Sequence, residues 1–176
     1  HYKVLSYQYD GYWTDIGNIY SFFEANIALT EAIPPFNLFD SAQTIYTRPR
    51  MLPPAKISGT LIDRAIIAEG SIIHAASVTQ SVIGIRSRIG KDTVVKNVYI
   101  MGCDYYETID QINEKIQAGK PILGIGERCV IEDAIVDKNC SIGNDVVIRG
   151  GAHLEKTDHP LYTIEDNIVV IKKGAV

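Results

Sequence analysis

The chain has 176 residues, 46% hydrophobic and 22% charged, with a formal net charge of −4. That length bounds the fold at one domain, or one domain plus part of another, with enough apolar material for a core. The acidic balance excludes a strong pull toward nucleic acid or a membrane surface, and no apolar run reaches the length of a membrane span.

No secretory leader is visible. Cys103, Cys129 and Cys140 are odd in number and form no CxxC pair, so neither a zinc site nor a disulfide framework is expected. A reducing, cytoplasmic setting follows from that cysteine usage. The first residue is His1 rather than Met, so the chain is expected to be a piece of something longer.

Residues 1–30 are aromatic-rich, with Tyr2, Tyr7, Tyr9, Tyr12, Trp13, Tyr20, Phe22 and Phe23. The stretch HYKVLSYQYDGYW alternates as a strand or hairpin does, with Asp10-Gly11 as a turn signal. From Asn18 to Thr30, Ile19, Phe22, Phe23 and Ile27 fall at helical spacing, with Asp15 or Asn18 as the cap. One strand and one helix cannot make a domain, so this segment reads as the end of a larger α/β domain. Residues 31–55 hold five of the seven prolines, Pro34, Pro35, Pro49, Pro53 and Pro54. That composition predicts an extended, stiff connector and places the domain boundary within it.

From residue 56 onward a repeat takes over. Steps of five or six residues from Ile57 land on Ile62, Ile67, Ile73, Val78, Ile83, Ile89, Val95 and Ile100. A second walk runs Ile125, Ile131, Val136, Ile142 and Ile148. A helix needs a period of about 3.6 and a lone strand a period of 2. A period near six instead fits a triangular solenoid: each short strand turns one branched aliphatic inward, and Gly, Asn or Asp turns the corner. An antiparallel sandwich would space its turns at about 8–12 residues. The fold class read from this is mainly β, a parallel β-helix over 56–176 preceded by the short α/β remnant.

The repeat is interrupted twice. Residues 103–120 (CDYYETIDQINEKIQAGK) contain no hexad, and Ile109, Ile112 and Ile116 predict a short helix ended by Gly119-Lys120-Pro121. Residues 150–161 (GGAHLEKTDHPL) are polar and turn-rich. Loops projecting from a solenoid are common binding sites.

The blocks YDGYWTDIGNIYSFFEANIALT, IYTRPRMLPPAK, SVIGIRSRIG, MGCDYYET, GIGERCVIEDAIVDKNCSIG and NIVVIKK, in this order along the chain, resemble the C-terminal part of ADP-glucose pyrophosphorylase (glucose-1-phosphate adenylyltransferase). The likeness is nearest to the plant and cyanobacterial pattern. The resemblance implies a left-handed coil joined to an N-terminal catalytic domain. It implies a tetrameric, cytoplasmic, allosterically controlled enzyme that makes ADP-glucose and pyrophosphate from ATP and glucose 1-phosphate for glycogen or starch synthesis. The Gly-rich nucleotide loop and the sugar-binding residues are not in this sequence, so the chain alone is expected to be inert. Neither a nucleic-acid nor a membrane partner is implied.

The same resemblance assigns residues. Asp15 matches the aspartate that helps hold catalytic Mg²⁺ in the intact enzyme; as a bare carboxylate before Ile16 it also reads as a helix cap. Lys173 and Lys138 match lysines that bind a phosphorylated metabolite or phosphate effector, and Arg48 and Arg50 are candidates to complete that cationic cluster. Lys172 should point away from Lys173 on a strand.

Two other readings stand beside this one, a trimeric hexapeptide acyltransferase and a purely structural oligomerisation module. His74, His153 and His159 show no companion carboxylate pattern of the kind a general base requires. Cys140 reads as a small corner-packing residue.

Overall fold

The computed structural model describes residues 2–176. Helix α1 spans Ile19–Ile27 and is extended by a 3₁₀ turn at Ala28–Thr30. Strands then alternate short and long: β1 Lys56–Ile57, β2 Leu61–Ile67, β3 Ile72–Ile73, β4 Ser77–Ile83, β5 Arg88–Ile89 and β6 Val94–Ile100. Helix α2, Ile109–Gln117, interrupts the alternation, which resumes with β7 Gly124–Ile125, β8 Val130–Val136, β9 Ser141–Ile142 and β10 Val147–Arg149. The chain closes with β11 Thr157–Asp158, β12 Tyr162–Glu165 and β13 Ile168–Ile171.

The hexad walk is the coil itself. Ile57, Ile73, Ile89, Ile125 and Ile142 pair in parallel register in the order β1-β3-β5-β7-β9. Ile62, Val78, Val95, Ile131 and Ile148 form a second column. Ile67, Ile83, Ile100, Val136 and Ile171 form the third. Three successive residues of the walk therefore lie on three walls, and the fourth returns to the first wall one coil higher. Side chains of the middle coils are buried, among them Ile73, Val78, Ile83, Val95 and Ile131. Burying each such aliphatic contributes about 1.5–3 kcal/mol.

The long strands span two walls because a left-handed residue bends each at its centre. Arg64, Gln80, Asn97 and Asp133 all have φ between 46° and 53°. They stack at one corner, where Asn97 Nδ2 donates to Asp133 Oδ1 at 2.6 Å. Asn and Asp tolerate this conformation better than other side chains, which suits them to the inner coils of the stack. Elsewhere coil spacing dictates glycine: a Cβ on Gly90 would lie 2.5 Å from the Gly126 carbonyl oxygen on the next coil.

Both interruptions preserve register. The first leaves after Ile100 and re-enters at Gly124. Helix α2 begins with a capping box between Thr108 and Gln111. Of its three apolar residues only Ile112 is half-buried; Ile109 and Ile116 are 77% and 63% exposed. The insert is tied down by its root. Tyr106 donates its hydroxyl to the Gly70 carbonyl at 2.9 Å, and Arg86 lies over the Tyr106 ring. The Glu107 side chain, 6% exposed, accepts from the Leu123 amide at 2.7 Å and pairs with Lys115 at 2.5 Å. The second interruption is an antiparallel meander of β11, β12 and β13, after which β13 rejoins β8 in parallel.

The first segment differs from its sequence reading. His1 lies outside the described residues, and residues 2–17 form no strand or hairpin. Tyr2, Val4 and Tyr7 are almost fully exposed, so the alternating pattern has no neighbouring strand to pair with and no surface to cover. Asn18, not Asp15, caps α1, its Oδ1 accepting from the Ser21 amide at 2.7 Å. Phe23 and Ile27 bury against Ile135 and Ile168 on the outside of the coil, and Phe22 meets Tyr99 edge-on. Residues 31–55 contain no helix or strand beyond this point.

The column arrangement sets an expected contrast. Ile131→Ala, at a fully buried position, should cost about 2–5 kcal/mol in urea unfolding. Ile57→Ala, at the 40% exposed end of its column, should cost well under half as much. Equal losses at the two positions would contradict the stacked core.

Candidate functional site

Register pairing of the third column fixes the corner beyond it. The residues two places after Ile67, Ile83, Ile100, Val136 and Ile171 are Glu69, Ile85, Gly102, Lys138 and Lys173. Their carbonyls carry the coil-to-coil ladder: Arg86 donates to Glu69, Cys103 to Ile85, Asn139 to Gly102 and Gly174 to Lys138. Lys138 and Lys173 are therefore neighbours in one column, one coil apart, roughly 4.8 Å along the axis.

Their surroundings differ. Lys138 Nζ lies 2.7 Å from Asp104 Oδ1. Asn139 Nδ2 donates to Asp104 Oδ2 at 3.0 Å, and its Oδ1 accepts from the Asp104 amide at 2.9 Å. Asp104 is thus gripped by two consecutive residues of the coil that follows its insert. The Lys138 hydrogen bond, then that of Asn139, holds its carboxyl below the usual 3.8, with the charge of Lys173 adding to the effect. Lys173 is exposed and makes no ion pair among the described residues. Lys172 turns to the other side, where its Nζ meets Asp158 Oδ1 at 2.5 Å. Next to Lys138 lies Tyr99, whose phenol is pushed up by burial, an effect that the lysine's charge opposes. Tyr99 also carries the Phe22 contact from α1.

Arg48 and Arg50 sit at the far end of the same edge. They line an open groove of about 680 Å³ between residues 45–52 and the corner of the first two coils, including Ile67, Glu69 and Ile85. Neither makes an ion pair among the described residues. From Glu69 to Lys138 is three coil steps, roughly 14 Å. The register sets Lys138 and Lys173 at one corner, and Arg48 and Arg50 line the groove farther along the same edge.

Asp15 is exposed on the segment before α1. Among the described residues no group of three or more His, Cys, Asp or Glu converges as a metal site. Mg²⁺ needs several oxygen donors in near-octahedral array, and Asp15 supplies only one carboxylate here, so this chain's own residues do not make the set. His159 Nδ1 accepts from the Leu161 amide and its ring stacks on Tyr162. His74 is exposed on the outside of the short-strand wall. Cys140 is buried at the corner, its thiol donating to the Asp137 and Lys172 carbonyls, and burial pushes that thiol up.

Sequence reading missed Asp104 and Asn139 as partners of Lys138. Counting from the paired Ile100 and Val136 sets Gly102 opposite Lys138, but it does not say where the insert carries Asp104. Because the native carboxyl titrates below its ordinary value, its stabilising contribution is present above about pH 3.8 and lost as pH falls through the lowered value. Asp104→Asn should lower the urea midpoint at pH 6, and that difference should shrink as pH falls below 3.8 and the native carboxylate protonates. A difference that persists undiminished at pH 2 would show that the ion pair is not its source.

The model of the GLGC left-handed parallel beta-helix domain matches residues 50–176. The match covers every coil from β1 to β13 together with both interruptions, and it carries the left hand that parallel pairing alone does not specify. The chain belongs to this family, the C-terminal β-helix domain of the ADP-glucose pyrophosphorylases, which are glucose-1-phosphate adenylyltransferases of glycogen and starch synthesis.

Proposed function

We propose that this domain is the allosteric and assembly module of an enzyme that makes ADP-glucose from ATP and glucose 1-phosphate, and that Lys138 and Lys173 receive a phosphorylated effector. The observation that carries this reading is the register equivalence of the two lysines, one coil apart on the same edge. A phosphate needs convergent cations. Lys173 is available for it, and Lys138 is held ready by Asp104. An arriving dianion competes with that carboxylate for Lys138, so Asp104 sets a threshold for binding. Arg48 and Arg50 act on the same edge only if the effector is long or if another subunit brings a second edge to it.

In this reading the plant and cyanobacterial type, the cytoplasmic location, the homotetramer and the catalytic N-terminal domain come from the resemblance, as does Mg²⁺ bound with the help of Asp15. The Gly-rich nucleotide loop and the sugar-binding residues that the resemblance assigns to the catalytic domain are not in this sequence. We expect the purified chain to form no ADP-glucose.

Thermal melting with 3-phosphoglycerate, fructose bisphosphate, inorganic phosphate and acetyl-CoA tests the assignment. At a hundredfold excess over its dissociation constant, a bound effector stabilises by about 2.7 kcal/mol. A phosphorylated metabolite should raise Tm, Lys173→Ala should remove most of the rise, and Asp104→Asn should enlarge it. Stabilisation by acetyl-CoA alone would favour the acyltransferase reading, and no response to any of the four would favour a purely structural module.

A further inference from the structure

The residues one place before the third column face outward. Ile66, Val82, Tyr99, Ile135 and Val170 pair in register there as a stripe on the outside of the coil. Four are aliphatic, and Tyr99 alone has a polar tip. The stripe leads into the lysine corner, since Lys138 and Lys173 stand three places after Ile135 and Val170.

Helix α1 is seated on this stripe. Phe23 and Ile27 are buried with Ile135 and Ile168, and Phe22, Tyr99, Met101 and Val170 pack around them. The Phe22 and Tyr99 rings meet edge-on with centroids 5.3 Å apart. No hydrogen bond joins α1 to the coil among the described residues, because Asn18, Ser21 and Asn26 all bond within the helix. Just past the helix, Glu31 meets Arg64 in an exposed ion pair at 3.5 Å. The segments on either side, 2–17 and 31–55, contain no helix or strand. A helix held by apolar contact between such segments opens as a local unit before the coil does.

Tyr99 touches both this helix and the corner. Its ring is half-buried in the α1 contact. A buried tyrosine hydroxyl ordinarily finds a partner. The Tyr99 hydroxyl makes no hydrogen bond among the described residues and reaches solvent. Lys138 is near enough for its charge to act on the phenol. Packing against Phe22 needs only the ring, so phenylalanine would serve the fold as well. The hydroxyl is thus an unused donor beside the lysine that Asp104 holds at 2.7 Å.

We propose that Tyr99 couples the Lys138–Lys173 corner to α1: its hydroxyl donates to a phosphate held by the two lysines, and its ring, fixed by that bond, holds Phe22 and the helix against the coil. This rests on the effector reading of the corner. A ligand shifts α1 only through a difference in affinity for its docked and open forms, and the Tyr99 hydrogen bond supplies that difference. The effect is reciprocal: phosphate tightens α1 docking by the factor by which docking tightens phosphate, a factor of about 5–150 in typical couplings.

The test combines hydrogen exchange of the α1 amides with binding titrations of the chain, using 3-phosphoglycerate and fructose bisphosphate as probes. A bound probe at saturation should slow exchange at Phe23–Ile27 about fivefold or more. Tyr99→Phe keeps the ring and removes only the donor; it should weaken the probe about fivefold or more and abolish the slowing. Phe22→Ala, on α1 rather than on the corner, should weaken the probe by a similar factor, as reciprocity requires. Ile57→Ala, in the first coil, should lower stability and leave Kd unchanged, which separates coupling from general destabilisation. The inference fails while the effector reading stands if a probe binds through Lys173 without slowing α1 exchange, or if Tyr99→Phe and Phe22→Ala bind it as the unaltered chain does. If neither probe binds, or if Lys173→Ala binds with unchanged Kd, the effector reading falls and this inference falls with it.

Discussion

Parallel pairing between coils is the constraint on which the rest of the structure depends. Each strand must sit about 4.8 Å above its predecessor with its inward aliphatic directly over the one below. Ile73, Ile89, Ile125 and Ile142 meet that demand in one wall, and the other two walls repeat it. Once the columns are fixed, every position at a given offset from them falls on the same edge. That alone brings Lys138 and Lys173 together although they are far apart in sequence. It also explains why both interruptions occur outside the paired stretches: the pairing of Ile100 with Val136, and of Val136 with Ile171, survives them. An insertion that shifted register by one residue would turn a whole column outward.

The columns were legible because branched aliphatics recur at a period that no other regular structure uses. What lay between and outside them was less so. The apolar runs Ala134-Ile135-Val136 and Val169-Val170-Ile171 break the in-out alternation. Ile135 and Val170 face outward, where α1 packs with Phe23 and Ile27. An apolar residue pointing away from a coil is a signal for a partner, but the sequence does not say which segment covers it. The alternation over residues 2–13 misled for the opposite reason, since pattern without a neighbouring strand makes no ladder. The insert's helix was readable from its spacing and its Gly119-Lys120-Pro121 ending. Its attachment was not, because Tyr106, Glu107 and Asp104 bind residues 16 to 36 positions away.

The corner cluster shows how much of a charged site lies in register and how much in an insert. The coil supplies Lys138, Asn139 and Lys173 at fixed spacing. The insert supplies Asp104, which decides that Lys138 is paired and leaves Lys173 open to solvent. The lysine motifs alone do not distinguish the two residues. Both the Asp104 carboxylate and Lys138 are substantially exposed, so their attraction is screened by water and salt. In the proposed reading a doubly charged phosphate facing two adjacent lysines competes with Asp104 for Lys138.

The same insert meets two faces of the coil. Its first residues hold Asp104 against the corner, and its return arm from Ile116 to Ile122 walls a groove on the neighbouring face. The coils beneath share one continuous buried aliphatic core, and close-packed cores have few alternative arrangements. The insert is joined to them by a short set of polar ties: Asp104 to Lys138 and Asn139, Tyr106 to Gly70, and Glu107 to Leu123, with Lys115 closing on Glu107 from the helix. A phosphate that draws Lys138 away from Asp104 removes one of these ties and leaves Asn139 to hold the carboxylate. The buried Glu107 contact persists, because no solvent ligand reaches it. In the proposed reading the corner site acts first on the insert's first turn, and Tyr99, beside Lys138 and in edge contact with Phe22, joins the same corner to α1.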